Sequence, residues 1–386
     1  MFSVIAFLVI LSGLVLLHEL GHFIVARAFG VKADEFGFGF PPRGIGFVKE
    51  RGTWKRVGRA DRTRYENTVW SLNWLPLGGF VRLKGETPEE AGDADSLLAK
   101  NGWKKFAILA AGVTMNWLLA AAIFSVGFMI GVPAVVEGLP SSAIVSDTKV
   151  QIMNVVPGTA ADKAELQPGD ELLSIDGIMI PNADAARTEL GARSTEGAEL
   201  AMIVERGTEQ IEIKARLEYL AQLDRVALGI ALADTGTVRF PIWLAVGEGF
   251  TLAARYTWMI VQGFGQLIHG LFNGRASAEL AGPVGIAVMT GGIVQQGGWA
   301  VAQFAAILSL NLAVINFLPI PALDGGRAVF VVLEGIRRKK NNIRTEAIVH
   351  QIGFLTLMLI VLLVTIQDLR RYGGTIWQGI LGLFGG

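Results

Sequence analysis

The pentapeptide HELGH, His18 to His22, sets two imidazoles four residues apart with a carboxylate between them. On a helix this spacing brings His18 and His22 to one face, one turn apart. Both can then reach one zinc ion, while Glu19 lies alongside to accept a proton from zinc-bound water. Zinc lowers the pKa of such a water to roughly 7, so the implied chemistry is hydrolysis at neutral pH. A five-residue pattern recurs by chance, and its setting gives this one weight. The chain has four histidines, two of them here. They follow a charge-free run, Met1–Leu17, that continues through Ala26 as one hydrophobic segment, where ionisable groups are costly and mark function.

A catalytic zinc usually takes three protein ligands and keeps one position open. Asp324, in NFLPIPALDGG (316–326), is the best candidate for the third, with His269 and His350 as competitors. Pro319 and Pro321 break the hydrophobic segment next to it. Broken backbone at membrane depth needs protein or water to satisfy it, which suits a wet substrate cavity. Asn316 is a candidate hydrogen-bond partner for exposed substrate backbone. Asn116, in AAGVTMNW, reads first as a helix–helix contact, and Gly112 as a site of close helix packing.

These residues need elements to hold them. Of 386 residues, 52% are hydrophobic and the mean hydropathy is +0.47, but distribution says more than content. Charge is absent from Met1–Leu17, Phe106–Val136, Leu280–Leu323 and Ile352–Gln367. With roughly 20 apolar residues needed to cross the hydrocarbon core, this predicts four transmembrane helices, over 1–29, 105–136, 299–323 and 347–369. The first lacks the basic start and small-residue end of a cleavable signal. There are no cysteines, so neither disulfides nor thiolate metal sites are available. Residues 29–105 carry 14 basic and 10 acidic side chains, 324–350 carry 6 and 3, and 137–240 carry 9 and 17. Basic loops favour the cytoplasm, which predicts 137–240 outside and the HELGH and Asp324 ends of their spans near the cytoplasmic face.

Between the spans, FGFGFPPRGIGF (36–47) and LPLGGFVRLKGE (75–86) read as short β structure within a cytoplasmic-side element over 30–104. Residues 147–236 alternate short β-like runs with turn signals around one helix (183–193). With PGTAADKAELQPGDELLSIDG at 157–177, this region resembles a bacterial PDZ domain. Such domains bind extended peptide by strand addition, which would put the peptide carboxylate near Leu228, Gly229 and Ile230. Residues 241–278 read as an amphipathic interfacial region, and 372–386 as an interfacial tail. The predicted fold is thus a polytopic α-helical membrane protein with a membrane-associated β-element and an inserted extracytoplasmic PDZ-like α+β domain.

HELGH, FGFGFPPR, AAGVTMN, the PDZ-like region, LAGPVGIA (280–287) and NFLPIPALDGG together resemble the RseP-type site-2 proteases from about Phe2 to Leu369. The resemblance implies a zinc metalloprotease cutting within the bacterial inner membrane, with His18, His22 and Asp324 as zinc ligands and Glu19 as general base. Asn316, Pro319 and Pro321 would contact substrate. So would a β-element whose edge receives it, comprising Gly37, Phe38, Gly39, Phe40, Gly79, Phe80, Val81, Arg82 and Leu83. The implied partners are a transmembrane protein substrate (an anti-sigma factor or a remnant signal peptide), an upstream site-1 protease, and membrane lipid, with no nucleic acid. The chain departs from the best-known Gram-negative members in having one PDZ-like region, not two. A noncatalytic scaffold built around that region is the alternative, and it predicts a degraded metal site.

Overall fold

A computed structural model describes residues 2–61, 63, 65–85, 93–193, 195–220, 224–273, 282–339 and 341–384, arranged in two compact units, 1–124 with 249–386 and 125–248. Among the described residues four helices are long and apolar enough to cross a membrane: Ser3–Ala28, Gly102–Ile130, Gly298–Phe317 and Arg344–Gly374.

In the larger unit, α1 (Phe2–Ala28) leads into three strands, β1 (Ala33–Glu50), β2 (Thr53–Val57) and β3 (Val69–Leu83), ordered β2-β1-β3. The strands are longer than the short β structure expected because β1 and β3 each fold back on themselves. The register interlocks the two, so that Glu35–Phe38 lies between Val69–Leu72 and Gly79–Arg82, while Ile45–Phe47 pairs with the outer side of Trp70–Leu72. Gly37 and Phe38 are therefore interior to the sheet, their backbone flanked on both sides, which corrects their expected role as a substrate-receiving edge, whereas Phe40 pairs only with Leu75. Among the described residues no strand pairs with the outer side of Gly79–Leu83, so that segment is one free edge of the sheet, with β2 at the other. The carboxylate of Glu35, buried in the sheet, accepts from Arg43 Nε at 2.8 Å and also from Arg43 Nη2, tying the two halves of β1 together. A cluster of Ala26, Val31, Ala33, Leu83 and Ile108 roots the sheet between α1 and the start of α2 (Gly102–Ile130).

The smaller unit starts earlier and ends later than the expected 147–236. Its seven-stranded sheet runs β4 (Val132–Val135), β12 (Ile230–Arg239), β5 (Ile144–Val155), β6 (Glu171–Ile175), β8 (Glu199–Arg206), β9 (Glu209–Arg216), with β7 (Ile178–Met179) on β6. β4 precedes the expected region and β12 runs past its end, because β4 pairs with the end of β12. β10 (Glu218–Leu220) and β11 (Arg225–Ala227) form a separate ribbon, and α3 (Ala160–Lys163) and α4 (Ala183–Ala192) complete the unit. Asn182 caps α4 by accepting from Ala185 N–H, as its residue type favours. Ile152, Leu172, Ile175, Leu200, Met202 and Val204 are fully buried at its centre.

The chain returns through α5 (Ile242–Phe272), α6 (Pro283–Gln295), α7 (Gly298–Phe317), α8 (Asp324–Arg337) and α9 (Ile343–Phe384). Residues 274–278 of the expected interfacial region, and Leu280 and Ala281 of LAGPVGIA, lie outside the described residues. Within α5, Ala253 packs in one cluster with Ala120, Ala121, Phe124, Ala306 and Leu310, so small residues let it sit close to α2 and α7. The uncharged run 280–323 is two helices, interrupted at Gly297, whose φ of 102° suits glycine alone. α7 stops at Phe317, short of the expected 323, because Pro319 and Pro321 cannot continue it. At the far end α9 runs unbroken to Phe384, so no separate tail begins at 372.

Leu172→Ala removes a side chain that is 1% exposed and is expected to cost about 2–5 kcal/mol. Calorimetry of the full chain in detergent checks this as a lowered melting transition with bound metal unchanged; an unshifted transition contradicts the assigned core.

Candidate metal centre

α1 delivers His18 and His22, both buried, and α8 delivers Asp324 from its first residue. His18 Nε2 lies 2.9 Å from Asp324 Oδ2 and 3.2 Å from His22 Nε2, and His22 Nε2 lies 3.3 Å from Asp324 Oδ2. Three ligands about 2.0–2.2 Å from a tetrahedral ion stand roughly 3.3 Å apart. The spacing therefore fits one zinc. His269 and His350, the competitors, are outside this group, and among the described residues no other His, Cys, Asp or Glu cluster has ligand spacing.

The surroundings prepare the two imidazoles for a metal. His22 Nδ1 lies 2.7 Å from the carbonyl oxygen of Ile108, which accepts its proton, so in the neutral ring Nε2 is the nitrogen available to a metal. Beside His18 Nδ1 is the amide of the fully buried Asn116, 3.4 Å away, whose Oδ1 has no partner among the described residues. An imidazole that reserves Nε2 for a metal carries its proton on Nδ1. The unpartnered Oδ1 is the acceptor that proton needs once the amide turns its oxygen towards the ring. Asn116 thus serves the site and not only helix contact. Gly112 explains how α2 comes so close: a Cβ there would stand against His22 Nε2 and 2.7 Å from His18 Nε2. On α1, Gly21 lies against the Ala111 carbonyl in the same way. Close helix packing at Gly112 was expected from the sequence; that the two imidazoles lie opposite it, and the part played by Gly21, were not. The signal available was a glycine in each motif.

Asp324 is placed by a tight linker, Leu318–Leu323. Cβ atoms at Gly325 and Gly326 would collide with the carbonyls of Phe317, Leu318 and Ile320, so the two glycines let α8 begin folded back on the linker. His350 Nδ1 accepts from Ala322 N–H at 2.8 Å, and Gly353 packs against Pro321. His350 supports the metal centre's linker and is not a ligand. A cavity of about 200 Å³ is lined by Val15, His18, Glu19, Asn116, Asn316 and Asp324, among others. Asn316 Nδ2 is 3.4 Å from His18 Nε2. Pro319 and Pro321 are absent from this lining; they end α7 and shape the linker. The edge segment starts alongside: Ser12 Oγ donates to the Pro76 carbonyl and accepts from Gly78 N–H, and Gly79 lies against Leu16. In the smaller unit, Leu228, Gly229 and Ile230 line a cavity of about 650 Å³ between β12 and α4, where Arg187 Nη2 donates to the Leu232 carbonyl.

The model of Peptidase family M50 matches residues 6–58 and 60–360. The chain belongs to peptidase family M50. A putative zinc metalloprotease of Clostridium perfringens is 33% identical, over 95% of this chain and 97% of that one. A second from Agrobacterium fabrum is 30% identical over 96% of each chain. Zinc metalloprotease RasP of Geobacillus kaustophilus is 27% identical over 96% and 98%. A PDZ domain of an SdrC-like protein of Listeria monocytogenes aligns with 23% of this chain and 92% of its own, at 20% identity and TM-score 0.20. The chain is accordingly an RseP-type, membrane-embedded metalloprotease with zinc as its cofactor.

Gly112→Ala is expected to remove zinc from the purified protein, since the added methyl occupies the ligand side of both imidazoles. Metal analysis checks this, with Gly13→Ala as control because nothing lies within 4 Å of its added carbon. Full zinc retention by Gly112→Ala contradicts the assigned ligand atoms.

Proposed function

We propose that His18, His22 and Asp324 hold the zinc, that Glu19 is the general base, and that the enzyme cuts single-span membrane proteins after a first cut outside the membrane. The convergence of two helix-borne imidazoles and Asp324 on a cavity that Glu19 also lines carries this reading. When bound, zinc supplies Lewis acidity at the scissile carbonyl and an acidified water. Glu19 takes the proton of the attacking water and hands it to the departing amine, a role that needs a carboxylate within reach of both. Asp324 and the two histidines stay unprotonated at their ligand atoms throughout. Asn316, with its amide on the cavity wall, orients substrate backbone.

A transmembrane helix hides its peptide bonds in its own hydrogen bonds, so substrate must unwind before attack. The free edge Gly79–Leu83 offers the backbone groups an unwound segment needs. That edge lies beside Ser12–Leu16, one turn ahead of His18. Anti-sigma factors and remnant signal peptides are the substrate classes this suits. The acidic balance of 137–240 supports an extracytoplasmic smaller unit. There it would act as a filter admitting substrates already trimmed by a site-1 protease, or bind a new carboxyl terminus at Leu228–Ile230. The basic balance of 29–105 and 324–350 supports an active site near the cytoplasmic face of the bacterial inner membrane.

Glu19→Gln is expected to retain zinc and to lose about 10²–10⁴-fold in cleavage of a model transmembrane substrate. Undiminished cleavage would show that another group is the base. For the edge, the absence of cysteine gives a clean background. In the inactive Glu19→Gln protein, a cysteine at Val81 should cross-link to cysteines walked through the substrate with yields that alternate every second residue, the period of a strand. Yields with a helical period, or none, would exclude strand addition.

A further inference from the structure

We propose that the sheet carries a binding site for an anionic phospholipid headgroup at the end of α1, in a cavity of about 350 Å³ lined by Arg27, Lys49, Arg51, Trp54, Thr68 and Trp70. Arg27 stands in the last turn of α1, where a helix of spanning length leaves the hydrocarbon. The cavity is therefore at headgroup depth. Three cations line it and no carboxylate does. Among the described residues none of the three makes an ion pair, and two neighbouring acids, Glu50 and Asp61, are engaged elsewhere. Glu50 accepts from Glu66 N–H and pairs with Lys55, and Asp61 accepts from Tyr65 and Thr63. Among the described residues Arg27 makes one side-chain hydrogen bond, from Nη1 to Thr68 Oγ1 at 3.2 Å, and its guanidinium lies over the Phe23 ring at 5.8 Å. The other donors of its guanidinium fork remain for a phosphate.

The walls favour a lipid over a soluble phosphate. Phe47 pairs with Trp70, Ile45 with Leu72, and Trp54 with Lys49, so these side chains share one sheet face. On it Phe47, Trp54, Trp70 and Leu72 are all more than 40% exposed. Phe23 of α1 packs edge-on to Trp70 and tilted against Phe36, making the face continuous with the span. Exposed indoles beside cations are what a headgroup layer selects. Acyl chains would follow Phe47 and Leu72 while the phosphate sits among Arg27, Lys49 and Arg51. An occupied site would fasten the sheet to the bilayer, and with it the edge at Gly79–Leu83.

The test titrates the full chain in neutral micelles with bromine-labelled phosphatidylglycerol or phosphatidylcholine and follows tryptophan quenching. Phosphatidylglycerol should quench a component that Trp54→Phe/Trp70→Phe lacks. Each basic group near an anionic surface is worth about a fivefold change in affinity. Half-saturation should therefore rise about fivefold in Lys49→Gln or Arg51→Gln, and on the order of 100-fold in the triple variant with Arg27→Gln. Arg51→Lys should keep wild-type binding, and cleavage in lipid-free micelles should be unchanged in all of them. Equal curves for the two lipids, or for wild type and the triple variant, overturn the site. Competition by glycerol phosphate as effective as that by unlabelled phosphatidylglycerol would make it a free phosphate site and overturn the lipid assignment.

Discussion

Bringing two imidazoles and a carboxylate within 3.3 Å of one another inside an apolar helical bundle is the constraint on which the rest of the larger unit turns. Unpartnered, such groups would be expensive to bury. Each is accordingly given something to hold: Ile108 for His22, Asn116 for His18, and for Asp324 the two histidines. Because Ile108 and Asn116 both come from α2, that helix must pass within backbone distance of α1. The glycines at 21 and 112 follow from this, not from a general preference of membrane helices for small residues. α7 is drawn in as well, through the hydrogen bond from Ser309 Oγ to the Asn116 carbonyl at 2.8 Å.

Much of this was legible in the sequence. Spacing alone put His18 and His22 on one face, and the charge-free runs marked the four long helices because lipid tolerates so few alternatives. Asp324 stood out because a carboxylate beside helix breakers at the end of a span has few structural uses. Other features were hidden for stated reasons. Glycine is ambiguous between packing and making room, so the role of Gly112 depended on what lies opposite. The acceptor at Ile108 is a backbone atom, and no residue type announces it. His350 looked like a rival ligand because type says nothing of distance; its ring nitrogen is spent on Ala322.

The sheet shows a different limit. Alternation and glycine content pointed to strands in 36–47 and 75–86 but carried no information on which would lie inside. The double hairpin of β1 and β3 settles that, since a segment flanked on both sides has no backbone to offer. Likewise the border of the smaller unit moved outward because Val132–Val135, read as the end of a span, finds a partner in the last strand of the domain. Pairing across 100 residues is invisible to local pattern.

His18 and Asp324, the ligands proposed above, are 306 residues apart in the chain. An ion shared between them would act as a cross-link closing a very long loop, and such a link restricts the unfolded chain more than a short one would. The catalytic group is in this sense also a staple, fastening the first helix to the segment that opens α8. Purification in the presence of chelator would then slacken the bundle as well as silence it, and the two losses would share a single binding curve.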